Sequence, residues 1–255
     1  GYAALAHEKA HGRAESFLTY PCNKPVLDRA TGVMVHSAHA IALAEQWYGP
    51  GYGADWKVLP LARALPEPVD RTGVRCALGF GDDDFVLCSF GILSIPKCND
   101  RIVEAWIDSA LASDPRCHLV FVGELAPSRF GMALRDRIAA HPRIRITGYT
   151  DSATYRSYLA AADGAVQLRR DSRGETSGSV LDCLSFGLPT IVNAHGSAAE
   201  LPADVCLLLE DDVGNDALGK AFERLHTDAA LRVQLRERAG SHMRACHAPV
   251  HAALC

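Results

Sequence analysis

At 255 residues the chain is long enough to bury a full core and to make one or two domains. A composition of 48% hydrophobic and 22% charged residues is that of a soluble globular protein, and excludes both a disordered chain and a bilayer span. The formal net charge of -4 argues against a broad basic face, so no nucleic-acid partner is expected.

The first stretch, to about Tyr20, has helical periodicity (AALAHEKAHGRAESFL) but opens without a cap. The chain begins Gly1-Tyr2, with no initiator Met and no signal pattern, as a fragment or processed piece would. Pro21 and Pro25 bracket a loop. The run TGVMVHSAHAIALAEQWYG then predicts a short strand, Gly32 to Val35, and an amphipathic helix from about Ser37 to Trp47. KVLPLA adds another strand, and LPEPVDRTG, with two prolines, reads as a linker, which places a domain junction near residues 63–72. The nine cysteines are odd in number and include no C-x-x-C pair, while Cys88, Cys183 and Cys206 lie inside apolar runs. They read as reduced, mostly structural thiols, which implies a cytoplasmic location.

From Asp84 onward apolar runs alternate with helical periodicity, the pattern of a parallel sheet with helices on both faces, an α/β fold. The six expected strands are FVLCSFG, HLVFVGE, RIRITGY, GAVQLR, LPTIVNA and VCLLLE. Asn99 and Asp151 are expected to cap DRIVEAWIDSALAS and SATYRSYLAAA, and the tail reads as one or two amphipathic helices broken near Asp228. In an open parallel sheet ligands bind beyond the carboxyl ends of the strands. Gly91, Gly123, Gly148 and the loop from Arg169 to Ser177 all follow strands and should gather there.

The densest chemistry lies between Gln167 and Asn193, QLRRDSRGETSGSVLDCLSFGLPTIVN. Gly174, Thr176, Ser177, Gly178 and Ser179 leave the backbone open to an anion, and the helix that follows presents free N–H groups at its start. Glu175 and Asp182 are acceptor-only groups suited to sugar or ribose hydroxyls. Lys97, six residues after Gly91, can reach a diphosphate as a point charge. The combination suits a phosphosugar or a nucleotide sugar.

FGILSIPKCND and RGETSGSVLDCLSFGLPTIV together resemble the donor-binding domain of the GT-B retaining glycosyltransferases of family 4 (glycosyl transferases group 1). HGSAAELP is similar to the family's Gly-x-x-x-Glu turn, Gly196 to Glu200. The resemblance covers most of residues 84–240 and reaches back to GVMVHSAHAIALAEQWYG, which looks like the end of the family's N-terminal acceptor domain. It implies a Rossmann-like C-terminal half of a GT-B fold. Residues 1–66 would be a remnant of the acceptor domain with its linker, and residues 67–255 the donor-binding domain with its C-terminal helices.

Carried over, the resemblance gives Lys97 and the backbone from Thr176 to Ser179 to the donor diphosphate, and Gly91 of the first loop is counted with the donor-binding residues. Asp182 would take the ribose hydroxyls, Glu175 the transferred sugar or the phosphate, and Gly148 and Tyr149 would lie near the base. Lys97 and Glu175 would be the catalytic pair, in the sense of stabilising the leaving group and meeting the sugar. The sequence departs from the pattern in places. Ile92 stands where the family has an arginine, and Cys98 where it has a glycine. Glu175 and Asp182 are seven positions apart, whereas the family's two glutamates are eight apart, so either Glu175 or a neighbour takes the first acid's role. Arg169, Arg170 or Arg173 could restore the lost charge; Arg173 is counted with the donor-binding residues.

The expected function is retaining transfer of a sugar from a UDP- or GDP-sugar to a glycan or lipid-linked acceptor, in polysaccharide or lipopolysaccharide biosynthesis. The donor is a substrate, no cofactor is expected, and no His/Cys cluster suggests a metal. Peripheral membrane association would come through the missing N-terminal domain, and the chain alone would be incomplete for catalysis. The alternative is a non-catalytic nucleotide or nucleotide-sugar binding module. A nicotinamide-dependent enzyme would need G-x-G-x-x-G after the first strand, where FGILSIPK stands. Singly, each residue has a plainer reading: Lys97 as a solvated lysine, Glu175 as a helix-terminal acid, Asp182 as a surface residue, and His36 and His195 as structural histidines at strand ends.

Overall fold

A computed structural model describes residues 24–249, and the helix expected before Tyr20 lies outside them. A one-turn helix, α1 (Lys24–Leu27), precedes β1 (Met34–Val35), α2 (Ala38–Tyr48) and β2 (Lys57–Val58). β1 and β2 pair in parallel, so α2 is the crossover of a small βαβ unit. The Ser37 hydroxyl caps α2 by accepting from the Ala40 amide. Residues 59–70 carry no regular structure. They are pinned to the far end of the chain: the Arg63 amide donates to the His247 carbonyl at 2.8 Å, and His247 Nδ1 meets the Leu61 carbonyl at 2.9 Å.

The main sheet follows α3 (Arg71–Ala77). Its elements are β3 (Phe85–Phe90), α4 (Asn99–Asp108), β4 (Cys117–Val122), α5 (Arg129–Ala139), β5 (Ile144–Ile146) and α6 (Ser152–Ala161). Then come β6 (Gly164–Gln167), α7 (Gly178–Ser185), β7 (Thr190–Asn193), β8 (Leu207–Leu209), α8 (Asn215–Thr227) and α9 (Ala229–His242). All six strands are parallel, in the order β5-β4-β3-β6-β7-β8. The chain therefore builds outward from β3 to one edge, returns beside it as β6, and builds to the other edge. This reversal makes a topological switch point between β3 and β6, where the loops leaving the two strands part to opposite faces.

Both faces of the sheet are covered, which is why its strands read as apolar runs rather than as alternation. Phe85 and Leu87 of β3, with Cys117, Leu119 and Phe121 of β4, pack with Trp106 of α4 and Phe222 of α8. Val86, Cys88 and Phe90, with Val120 and Val122, pack on the other face with Leu159 of α6. A third cluster, including Leu181, Leu184, Ala239 and Met243, joins α7 to the C-terminal helices.

Three local expectations are corrected. Asn99 does not cap α4: a 3-10 turn, Ile95–Lys97, runs directly into the helix, Cys98 takes the cap position, and Asn99 Oδ1 instead accepts from the Ser94 amide at 2.8 Å. The helix read through DRIVEAWIDSALAS stops at Asp108, because the Ser109 hydroxyl donates to the Trp106 carbonyl at 2.7 Å and the chain restarts as a 3-10 turn. The proposed linker, 63–72, overlaps the start of α3, which Asp70 caps through the Gly73 amide. Asp151 does cap α6, and Asp228 ends α8 and caps α9.

Candidate functional site

The switch point brings together two loops remote in sequence. After β3 the chain turns at Gly91 (φ 98°), where a side chain would collide with Lys97 Nζ. Lys97 folds back over its own strand and donates from Nζ to the Phe90 carbonyl at 3.0 Å. After β6, Arg169 is half-buried, its amide bound by Asn193 Oδ1 and its carbonyl by Asn193 Nδ2. The Arg170 amide donates to the Pro96 carbonyl at 3.0 Å, tying the two loops together.

Two cations thus meet in a partly desolvated crevice. Burial, reinforced by the nearby Arg169 guanidinium, lowers the Lys97 pKa to about 8. Burial also holds Arg169 below its usual range. Among the described residues neither cation forms a side-chain ion pair. Of the three loop arginines, Arg169 is the one beside Lys97, whereas Arg170 and Arg173 are exposed.

The N-terminus of α7 opens onto the same place. Ser177 caps it, accepting from the Val180 amide, and its hydroxyl also accepts from Arg169 Nη2 at 3.2 Å and lies 3.2 Å from Ser179 Oγ. Free amides and the positive end of the helix dipole therefore face the same crevice as the two side-chain cations. Thr176 is turned the other way, donating from its hydroxyl to the His36 carbonyl at 3.3 Å. The Glu175 carboxylate accepts from the Arg173 amide at 2.6 Å, and the Glu175 carbonyl accepts from the Ser197 hydroxyl. With Arg169, Ser177 and His195, Glu175 lines a small enclosed cavity.

Asp182, one turn into α7, is already engaged. Arg63 Nε donates to Oδ1 at 2.9 Å, and the Tyr155 hydroxyl to Oδ2 at 3.2 Å. These three residues border a cleft of about 560 Å³ that continues past Tyr149, Thr150 and Asp151. Gly148 makes the turn into it (φ 75°), and Tyr149 stands at the rim with 82% of its surface exposed. Arg63 and Tyr155 were not singled out in the sequence. Arg63 lies 119 residues from Asp182 in an irregular segment, and no local pattern marks it.

The two histidines differ. His36 Nδ1 is bound to the Leu59 carbonyl at 2.8 Å and ties down the end of the βαβ unit. His195 Nδ1 lies 2.8 Å from Asp211 Oδ1 and borders a second cavity, of about 460 Å³, with Arg101, Arg169 and Arg170. The Gly196-to-Glu200 turn is a 3-10 helix, and the Glu200 carboxylate accepts from the Ala38 and His39 amides at the start of α2. The small βαβ unit is thereby docked beside the site loops. Among the described residues, the one cluster of three metal-type side chains, Asp114, Cys117 and His226, lies at the opposite, N-terminal end of the strands.

Residues 84–228 match the family described as glycosyl transferases group 1. No curated protein matches the chain. Among solved structures, HepE of Anabaena in complex with UDP superposes with a TM-score of 0.75 at 17% identity, over 87% of this chain and 61% of its own. Sucrose-phosphate synthase from Thermosynechococcus elongatus gives 0.78 at 22%, over 95% and 60%. WaaG, a glycosyltransferase involved in lipopolysaccharide biosynthesis, gives 0.69 at 20%, over 94% and 68%. The chain thus spans about three fifths of HepE and of the synthase. At these identities the likeness establishes the fold, the Rossmann-like half of a GT-B architecture.

Proposed function

The chain belongs to the glycosyl transferases group 1 family, and from that premise we propose that it is the donor-binding part of a retaining glycosyltransferase using a nucleotide sugar. The observation that carries this reading is the meeting of Lys97 and Arg169 at the switch point, with no carboxylate in ion-pair range among the described residues, beside the N-terminus of α7. A diphosphate supplies the missing negative charge. As the bond from the sugar to the diphosphate breaks, charge grows on the leaving oxygen, and preorganised cations and amides stabilise it without reorganising. Arg169 then does the work of the arginine that Ile92 replaces, and Lys97 keeps its family role.

The remaining assignments follow the cleft. The base rests near Gly148 and Tyr149, the ribose hydroxyls at Asp182, and the diphosphate against Ser177, Gly178 and Ser179. The transferred sugar lies toward Glu175, with Thr176 holding the loop to the βαβ unit. The UDP-glucose and UDP bound by HepE make a uridine donor the first to test. The lipopolysaccharide role of WaaG supports a glycan or lipid-linked acceptor in surface polysaccharide synthesis. No helix among the described residues is long and apolar enough to cross a membrane, and the seven described cysteines are free thiols; we place the protein in the cytoplasm, with any membrane contact peripheral.

Thermal melts with UDP, GDP, ADP and their sugars test the reading, since a ligand of the folded state raises the melting temperature. At least one should stabilise the chain; no shift with any of them overturns the proposal. A second reading, a nucleotide-sugar binding module without catalysis, is favoured by Ile92 in place of the family arginine. Measurable sugar transfer by a protein containing this chain and a complete acceptor domain excludes it.

A further inference from the structure

Arg63 is placed where a cation is electrostatically misplaced. Its guanidinium lies against the first residue of α7, so closely that a side chain at Gly178 would strike Nη2. The N-terminus of a helix repels positive charge, and Arg169 already reaches the neighbouring Ser177. What holds Arg63 there, among the described residues, is one carboxylate, Asp182, through Nε at 2.9 Å, with Nη1 spent on the adjacent Ala62 carbonyl. The Arg63 amide is anchored separately to the His247 carbonyl, so the side chain can turn while the backbone stays put. Arg63 and Tyr155 together occupy both oxygens of Asp182, the carboxylate assigned above to the ribose.

We propose that Arg63 is a donor-responsive binding residue: ribose hydroxyls displace it from Asp182, and it turns onto the diphosphate at the N-terminus of α7. The inference rests on the donor-site reading above. A guanidinium already touching Gly178 needs only rotation of its own side chain to meet a phosphate there, where its planar fork suits two phosphate oxygens. The diphosphate then removes the conflict between Arg63 and the helix dipole. Nucleoside and diphosphate would be sensed together, because the first releases the cation that the second receives.

Calorimetric titration separates this from the alternatives. The wild-type chain is titrated with UDP, GDP and ADP, and the tightest is compared with its own nucleoside in Arg63→Ala and Arg63→Lys. For Arg63→Ala, loss of a charge-assisted hydrogen bond should weaken the nucleoside diphosphate roughly tenfold or more, while the nucleoside binds as well as before or better. Arg63→Lys, which keeps the charge but loses the fork, should weaken the diphosphate less. It serves alone if the alanine variant fails to fold. Equal change for diphosphate and nucleoside, or no change for the diphosphate, overturns the inference while leaving the donor site standing. Failure of the wild type to bind any of the three overturns the donor site itself.

Discussion

Two clusters of cations sit at opposite ends of the same strands, and they are built on opposite terms. At the N-terminal ends, Arg75 is buried and spends its two terminal nitrogens on Asp163 and on the Ala161, Gly81 and Asp84 carbonyls, all within 3.1 Å. Arg71 joins it on the other oxygen of Asp163 at 2.6 Å, and the Val86 amide completes that carboxylate. At the C-terminal ends, among the described residues, Lys97 and Arg169 have no carboxylate in ion-pair range and Arg63 pairs with Asp182 alone. A cluster whose cations are paired to a carboxylate fastens α3 and the starts of β3 and β6. The unpaired one suits the anion proposed above, since charge left unmatched inside a fold is costly unless a ligand matches it.

The contrast can be broken from either side. The largest expected effect is that of Asp163→Ala, which strands a buried guanidinium and should cost about 3–5 kcal/mol of stability in a denaturant titration, with nucleotide affinity of the folded fraction unchanged. Lys97→Ala should do the reverse: at neutral pH stability equal to wild type or higher, since a desolvated charge is removed, and nucleoside diphosphate affinity reduced roughly tenfold or more by calorimetry. Equal damage to both properties in either variant would erase the distinction.

The pH dependence sharpens it further. Lys97 is protonated below its pKa of about 8, so its contribution to diphosphate affinity is constant there and falls above it, by up to about tenfold per pH unit. The stability effect has the opposite sign. Between about 8 and the ordinary lysine value of 10.5 the unfolded chain holds the proton that the folded chain has released, so this group's contribution to stability rises with pH across that window. Affinity in wild type and Lys97→Ala should differ by a constant factor below pH 8 and converge above it. The smallest effect belongs to Cys98→Gly. Cys98 is held at φ 51° but is also buried, so relief of left-handed strain and loss of apolar contact should cancel to within about 1 kcal/mol.

The fold was largely legible from the sequence. Strands covered on both faces appear as short unbroken apolar runs, and Asp151 and Asp228 announce helix starts by local chemistry that survives folding. Asn99 misled because its side chain turns back to the Ser94 amide, five residues earlier in the same loop, instead of capping the helix. The site was legible only in part. Lys97 and the Ser177 loop carry local signatures, but which of Arg169, Arg170 and Arg173 faces inward depends on the tie between Arg170 and Pro96, a contact across the switch point. Arg63 and Tyr155 reach Asp182 from other elements, and spacing along the chain holds no trace of that. Cys98 shows the converse: the family's glycine is gone, yet the left-handed backbone it would favour remains.

The Glu200 carboxylate closes the start of α2 from the loop after β7. The first amides of a helix have no acceptor inside it, so those of Ala38 and His39 are protected from solvent deuterium only while Glu200 stays in place. Their exchange rates are consequently a clock on the opening between the small βαβ unit and the sheet, readable without any substrate. A ligand that spans the two should slow that clock, and one confined to the sheet should leave it running at the same pace.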